Sequence, residues 1–187
     1  MFNLIIFGPP GSGKGTQSVK VAEKYQLKHI STGDILRSEV SQETELGLKV
    51  KHIMTTGELV PDELLFQILL NVLETNTDVK GFIFDGFPRT LAQAKELDKQ
   101  LEARNSGITK VLSLDVPDDE VVDRLLKRAE IQGRKDDNRE TIGNRLNVYK
   151  TQTTPLLDFY KNQEKLNKIH GVGGIEDIFN SICEVVD

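Results

Sequence analysis

The chain has a single cysteine and no tryptophan in 187 residues. A lone Cys183 cannot close an internal disulfide or supply a multi-cysteine zinc site, so the chain suits a reducing compartment, with Cys183 expected in core packing. No apolar run approaches the roughly 20 residues that a membrane span needs. The opening Met1-Phe2-Asn3 leads into a strand-like segment without the basic stretch of a secretion signal, and the expectation is a cytoplasmic protein with no membrane partner. A basic excess is missing as well: 24 Lys and Arg stand against 29 Asp and Glu, a net charge of −5. Nucleic acid is therefore not expected as a partner, since its backbone selects basic surfaces. Any polyanion must be met by arginines clustered locally. His29, His52 and His170 lack metal-ligand spacing, and no Ser-His-Asp or Cys-His arrangement is suggested, so covalent catalysis is not expected. Internal repeats and low-complexity tracts are absent too.

What is present is enough apolar material for one core: 37% hydrophobic residues, with 15 glycines besides. Strand-like runs at 2–7, 27–30, 81–84, 110–116 and 168–170 alternate with helical patterns, and the runs are continuously apolar, as in parallel strands covered on both faces. The pattern predicts an α/β fold of three layers around a five-stranded parallel sheet. Pro61 and Pro117, each ahead of acidic residues and a periodic apolar stripe, read as helix starts. Pro155 falls inside a long helical pattern over 138–166 and predicts a break or a new start there. Residues 31–60 are largely polar and too long for an ordinary connection, so they read as an inserted small helical subdomain. The polar stretch from Ala129 to Asp137 reads as a short flap. The organisation expected is a core of residues 1–30, 61–126 and 138–187, an insert at 31–60 and a lid at 127–137.

The strongest local signal is Gly8-Pro9-Pro10-Gly11-Ser12-Gly13-Lys14-Gly15-Thr16, which follows Leu4-Ile5-Ile6-Phe7 and opens a helical stretch. Glycines let successive N–H groups turn toward one centre, the helix N-terminus adds partial positive charge, and Lys14 reaches the outer phosphates. The strand–loop–helix context makes this a phosphate-binding loop. Gly15 stands where the general motif has a hydroxyl residue, and the hydroxyl arrives one position later at Thr16.

Asp85 ends the third strand in Phe84-Asp85-Gly86-Phe87-Pro88-Arg89, at the carboxyl edge of the sheet where such folds bind ligands. A carboxylate there can hold Mg²⁺ through its water shell while the metal bridges nucleotide phosphates; a simple turn aspartate is the alternative. Arg37, Arg89, Arg124, Arg128, Arg134 and Arg145 lie in segments that could converge, and guanidinium groups bind phosphate oxygens in pairs and stabilise charge in transit. Asp136 and Asp137 could orient these arginines or meet the metal's water shell, while N-capping of the next helix is as good an account of Asp137.

With these residues in place, the chain resembles the nucleoside monophosphate kinases, and among them the adenylate kinases, along essentially its whole length. The phosphate loop, Ser31-Thr32-Gly33-Asp34-Ile35-Leu36-Arg37, the Asp85–Arg89 run and the arginines beside the flap occur in the family's order and approximate spacing. The resemblance implies a P-loop NTPase fold with a small helical insert for the nucleoside monophosphate. It implies Mg²⁺-dependent, reversible transfer of the ATP γ-phosphoryl group to AMP, giving two ADP, in purine-nucleotide and energy homeostasis. Gly11, Ser12, Gly13, Lys14, Gly15 and Thr16 would hold ATP phosphates, with Arg124 and Arg128 flanking ATP and Gly173 near its adenine. Arg37 and Arg89 would grip the AMP phosphate, Gly86, Phe87 and Pro88 would shape the turn beside it, and Arg134 and Arg145 would bridge toward the transferred group. The catalytic set so implied is Lys14, Arg89, Arg128, Arg134 and Arg145. Thr32 and Gln93 would recognise adenine, the Gln93 amide both donating and accepting, with backbone contacts from Glu58, Leu59 and Val60.

The long-lid members of the family insert a β-rich lid, some with zinc; that insert is missing here, no cysteine lies near the flap, and no zinc is expected. The short form implies a monomer. Closure of flap and insert would exclude water before transfer, a step for which adenylate kinase lids are a known example; Gly33, Gly57 and Gly133 are candidate hinge aids. A UMP/CMP kinase shares the chemistry but typically has Ala and Asn where Thr32 and Gln93 stand. A GTPase switch would want Asn-Lys-x-Asp, and the nearest run, Asn167-Lys168-Ile169-His170, lacks the Asp. A noncatalytic nucleotide sensor would keep the loop but lose Asp85 or the flap arginines.

Overall fold

Strand β1 (Asn3–Phe7) is buried along its whole length because its side chains divide between two cores. Leu4 and Ile6 pack on one face of the sheet and Ile5 and Phe7 on the other. The computed structural model describes residues 1–134 and 136–187. Within them β1, β2 (Lys28–Ser31), β3 (Phe82–Asp85), β4 (Ile108–Asp115) and β5 (Leu166–His170) form one parallel sheet in the order β2-β3-β1-β4-β5. The chain leaves β1 toward one edge and later returns to the other side of it. The crevice at the carboxyl ends of β1 and β3 is thus the place where such a sheet receives ligands.

Helices α1 (Lys14–Tyr25) and α9 (Ile175–Val186) cover the first face, with Val21, Ile178, Ile182 and Val186 against Leu4, Ile6 and Ile83. On the second face α4 (Asp62–Thr75), α5 (Leu91–Glu102) and α8 (Pro155–Lys161) bring Leu65, Leu69, Ala94, Leu97, Leu156 and Tyr160 onto Ile5, Phe7, Phe82 and Phe84. Each buried aliphatic or aromatic side chain contributes roughly 1.5–3 kcal/mol, so these two layers hold the sheet edge that carries the loops. Residues 31–60 fold mainly as α2 (Thr32–Ser41) and α3 (Glu45–Thr56), started by Ser31, whose hydroxyl accepts from the Asp34 N–H, and by Thr44, which accepts from the Gly47 N–H.

Helix α6 (Asp118–Gln132) opens after Pro117 with Asp118, Asp119 and Glu120 in its first turn, complementing its positive end. It continues through Gln132, so the flap expected from Ala129 begins only at Gly133. Ala129, Glu130 and Gln132 are good helix formers, and the helix ends where Gly133 takes a left-handed φ of 63° and donates to the Ala129 carbonyl. Lys135, inside the expected lid, lies outside the described residues. Helix α7 (Arg139–Val148) packs on α6 through Val121, Leu125, Ile142 and Leu146. The break at Pro155 takes the form of a π-turn, Tyr149–Thr153, after which Pro155 occupies the first turn of α8. Strands β4 and β5 start two residues earlier than their apolar runs suggest. Gly33 lies within α2, whereas Gly57 and Gly133 terminate helices.

Candidate active site

Helix α1 begins without a side-chain cap, unlike α2, α3, α5 and α7, which Ser31, Thr44, Thr90 and Asn138 cap. Its N-cap is Gly13 at φ 94°, a left-handed conformation that costs a residue with a Cβ and leaves the first N–H groups of the helix facing outward. Those amides open onto a cavity of about 580 Å³ that Gly11, Gly13, Lys14, Gly15 and Thr16 line, a size suited to small-molecule ligands. The Lys14 ammonium donates to the carbonyls of Gly8 (2.7 Å) and Pro9 (2.9 Å). Burial lowers its pKa to about 8; Asp85 opposes that shift, and Arg89, Arg145 and Arg128 reinforce it.

The six arginines singled out in the sequence, Arg37, Arg89, Arg124, Arg128, Arg134 and Arg145, all line the same cavity. Each is held by named partners. Arg89 Nε donates to the Gly86 carbonyl (2.8 Å), which also accepts from the Thr32 hydroxyl (3.0 Å), and the Arg89 carbonyl accepts from the Thr153 hydroxyl (3.0 Å). Arg124 is fixed to Glu120 (2.7 Å) and the Gly171 carbonyl (3.2 Å). Arg128 pairs with Asp137 through two nitrogens, and Arg145 contacts Asp137 at 2.9 Å and Asp136 at 3.3 Å. Asp34 of α2 holds Arg37 at 2.5 Å and stands 4.0 Å from Arg134, so the flap arginine approaches the insert across the cleft.

This density of guanidinium groups is costly to the protein. Burial, then Arg145, lowers the Arg89 pKa to about 10, with Arg37 adding to the effect and Asp85 opposing it. Arg134 and Arg145 are lowered too, burial first in each. Phosphate oxygens entering such a cavity would relieve that repulsion and find paired donors already oriented.

Asp85 is buried at the end of β3, with Oδ2 3.7 Å from His29 Nε2. Its carboxylate lies close to the start of α1: a Cβ on Gly15 would sit 3.6 Å from Oδ2. Among the described residues no three acidic, His or Cys side chains gather to enclose a metal. A single carboxylate beside phosphate donors fits Mg²⁺, which keeps most of its waters and takes its other ligands from the nucleotide. It would not fit a metal held by protein alone.

Several sequence candidates stand away from the cavity wall. Gly173 sits exposed before α9, Glu58 is exposed, and Val60 and Phe87 belong to the core, Phe87 edge-on to Phe66. Thr32 and Gln93 are buried behind Gly86 and Arg89, with Gln93 fully enclosed. Asp137 does not cap α7; Asn138 does, accepting from the Thr141 N–H, while Asp137 is buried between two arginines. That choice follows from charge, because a carboxylate enclosed by two guanidiniums has more to gain there than at a helix end. Asp34, His29 and Thr153 were not singled out by sequence reasoning. Asp34 had a signal, three residues before Arg37 on one helix face; Thr153 had none.

An open helix N-terminus with its lysine, facing an arginine cluster over one crevice of a parallel sheet, is the architecture of a P-loop phosphotransferase. Comparison with known proteins narrows it. The sequence profile described as "Adenylate kinase" matches residues 6–165. The adenylate kinase of Bacteroides thetaiotaomicron is 53% identical over 187 residues, covering 100% of this chain and 99% of its own length. Those of Phocaeicola vulgatus and Leptospira biflexa are 51% and 48% identical, again along 100% of this chain and 99% and 100% of their own. The chain belongs to the adenylate kinase family.

Proposed function

We propose that the chain transfers the γ-phosphoryl group of ATP reversibly to AMP, giving two ADP. The observation that carries this reading is the single cavity in which the uncapped start of α1 and six arginines face one another. Two anionic ligands meeting end to end need both halves, whereas a hydrolase needs only the first.

On this reading Gly11, Ser12, Gly13, Lys14, Gly15 and Thr16 bind the ATP phosphates. Arg124 and Arg128 flank that nucleotide, and the exposed turn at Gly173 borders its adenine. Arg37 and Arg89 bind the AMP phosphate, with Gly86, Phe87 and Pro88 holding the turn that presents Arg89. Arg134 and Arg145 neutralise charge on the group in flight, where positioning and electrostatics supply most of the barrier reduction. Thr32 and Gln93, with backbone from Glu58, Leu59 and Val60, read the AMP base. Asp85 would hold Mg²⁺ through water, and the ion would neutralise charge between the phosphates. Residues 31–60 and the part of the expected lid 127–137 that follows the end of α6 act as the two closing segments on a core of 1–30, 61–126 and 138–187, and the enzyme works as a cytoplasmic monomer. The short connection between α6 and α7 supports the absence of a zinc-bearing lid. No helix of the described residues is long and apolar enough to cross a membrane.

The test is an acceptor panel with ATP and Mg²⁺: AMP, CMP, UMP and GMP at equal concentration. AMP should exceed each of the others in kcat/KM by at least about a hundredfold, because a base pocket with unmet polar groups discriminates strongly. Preference for UMP or CMP would overturn the acceptor assignment, and ADP formed at the same rate without any acceptor would overturn the transferase reading.

A further inference from the structure

Gln93 is fully buried in the first turn of α5, and both ends of its side-chain amide are engaged within the chain. Oε1 accepts from the Arg89 backbone N–H at 2.6 Å, and Nε2 donates to Asp62 Oδ1 at 2.6 Å. Asp62 lies 31 residues away, at the start of α4, where Leu65 and Leu69 anchor the helix to the sheet.

These two bonds fix which way round the amide sits. Rotated by half a turn, its NH₂ would face the Arg89 N–H, donor against donor, and its oxygen would face the Asp62 carboxylate, acceptor against acceptor. Helix capping accounts for the first bond alone: Thr90 accepts from the Gln93 N–H while the Gln93 side chain reaches back to the preceding backbone. A glutamate would cap equally well. Only the contact with Asp62 requires an amide, and only an acceptor at Asp62 gives that amide one sense.

The sense matters to a purine. After both internal bonds, the side chain retains one N–H and one oxygen lone pair, in fixed order. Adenine offers an amino donor at C6 beside an acceptor at N1, whereas hypoxanthine and guanine offer an acceptor at C6 beside a donor at N1. An amide free to rotate about its last torsion serves either edge; a locked one serves one and opposes the other at both atoms. We infer that Asp62 is a specificity-determining positioning residue: by locking the Gln93 amide in one sense, it makes the acceptor pocket read adenine and reject 6-oxopurines. The inference rests on Gln93 being the base reader of the proposed function. Both bonds are internal to the chain, so the sense is a property of the protein and not of its ligand.

The test compares AMP with IMP as acceptors in the wild type and in Asp62→Asn. Asparagine keeps the size but can present either an oxygen or an NH₂, so it no longer opposes the rotated amide. The expected result is a fall of roughly tenfold or more in the AMP-to-IMP ratio of kcat/KM, carried by a higher KM for AMP, with KM for ATP and the melting temperature close to wild type. Asp62→Glu, which keeps the acceptor, should recover part of the ratio. An unchanged ratio in Asp62→Asn overturns the inference and leaves the proposed function standing. Equal loss toward ATP and both acceptors makes Asp62 merely structural and overturns it too. A wild type that does not prefer AMP overturns both readings. If Asp62→Asn does not fold, NMR of the wild type decides: the Gln93 NH₂ should show one proton shifted downfield and protected from exchange, and two freely exchanging protons would overturn the lock.

Discussion

Arg128 grips Asp137 with two nitrogens of its guanidinium, Nε 2.6 Å from Oδ2 and NH2 2.8 Å from Oδ1. The pair joins the end of α6 to the start of α7, and Arg145 completes it from α7 at 2.9 Å. The flap between these helices is thereby tied at its base, while Arg134 within it stays directed at the cleft.

Asp137→Ala should cost roughly 3 kcal/mol of stability, because it leaves two partly buried guanidiniums facing each other. Burial alone would raise the Asp137 carboxyl pKa, but Arg128 and Arg145 prevail and it is lowered. A lowered folded-state pKa contributes stability that is present above the ordinary carboxylate range and disappears as pH falls through the lowered value. Urea unfolding between pH 7 and pH 3 should therefore show a steeper loss in the wild type than in Asp137→Ala; parallel curves would contradict the clasp.

Lys14, with a pKa of about 8 against 10.5 in the unfolded chain, predicts a pH signature. Phosphate binding favours the charged ammonium, so above pH 8 each triphosphate bound must bring a proton with it. Affinity should fall by up to about tenfold per pH unit between pH 8 and 10, as calorimetry can measure. Between those values the unfolded lysine holds a proton that the folded one lacks, so this group's contribution to stability rises with pH. Lys14→Met should abolish the affinity slope and lower turnover by orders of magnitude while melting no lower than wild type. Arg89→Ala should lower turnover comparably.

Among the described residues, two hydrogen bonds and one close backbone approach join the insert to α7. The Thr141 hydroxyl donates to the Thr55 carbonyl (2.8 Å), and Asn144 donates to the Thr56 carbonyl (3.2 Å). Gly57, at φ 79°, is so close to α7 that a Cβ there would sit 2.8 Å from Arg145 Cγ. Thr141→Val should cost about 1–2 kcal/mol, since it strands a carbonyl at the helix end. Gly57→Ala should cost at least about 1 kcal/mol through strain and contact. In both, KM for AMP should rise more than KM for ATP, because the insert and Arg145 lose their common footing. Equal changes in the two KM values would show the contacts to be structural only.

The loop from Gly8 to Lys14 and the Asp85–Arg89 run at the end of β3 are legible in the sequence because each depends on local spacing, and the arginines stand out by residue type, although their meeting in one cavity is a product of the fold. What escaped reading depends on packing between distant segments. Gln93 meets Asp62 only because the fold brings together the first turns of α4 and α5, 31 residues apart in the chain. Asp137 and Asn138 are adjacent and both good caps, so only the position of Arg128 and Arg145 decides between them. The flap is shorter than its polarity suggests because helix propensity prevails at its start: Ile131 is 82% exposed, yet its neighbours keep the turn helical.

The most direct measurement is the stoichiometry of ADP formed from ATP with and without AMP. Two nucleotides held at once predict two ADP per ATP consumed, formation that requires both AMP and Mg²⁺, and near-complete loss of ADP formation when either half of the cavity is disabled by Lys14→Met or Arg89→Ala. One ADP per ATP, released with phosphate and indifferent to AMP, would contradict the claim that this cleft holds two nucleotides at once.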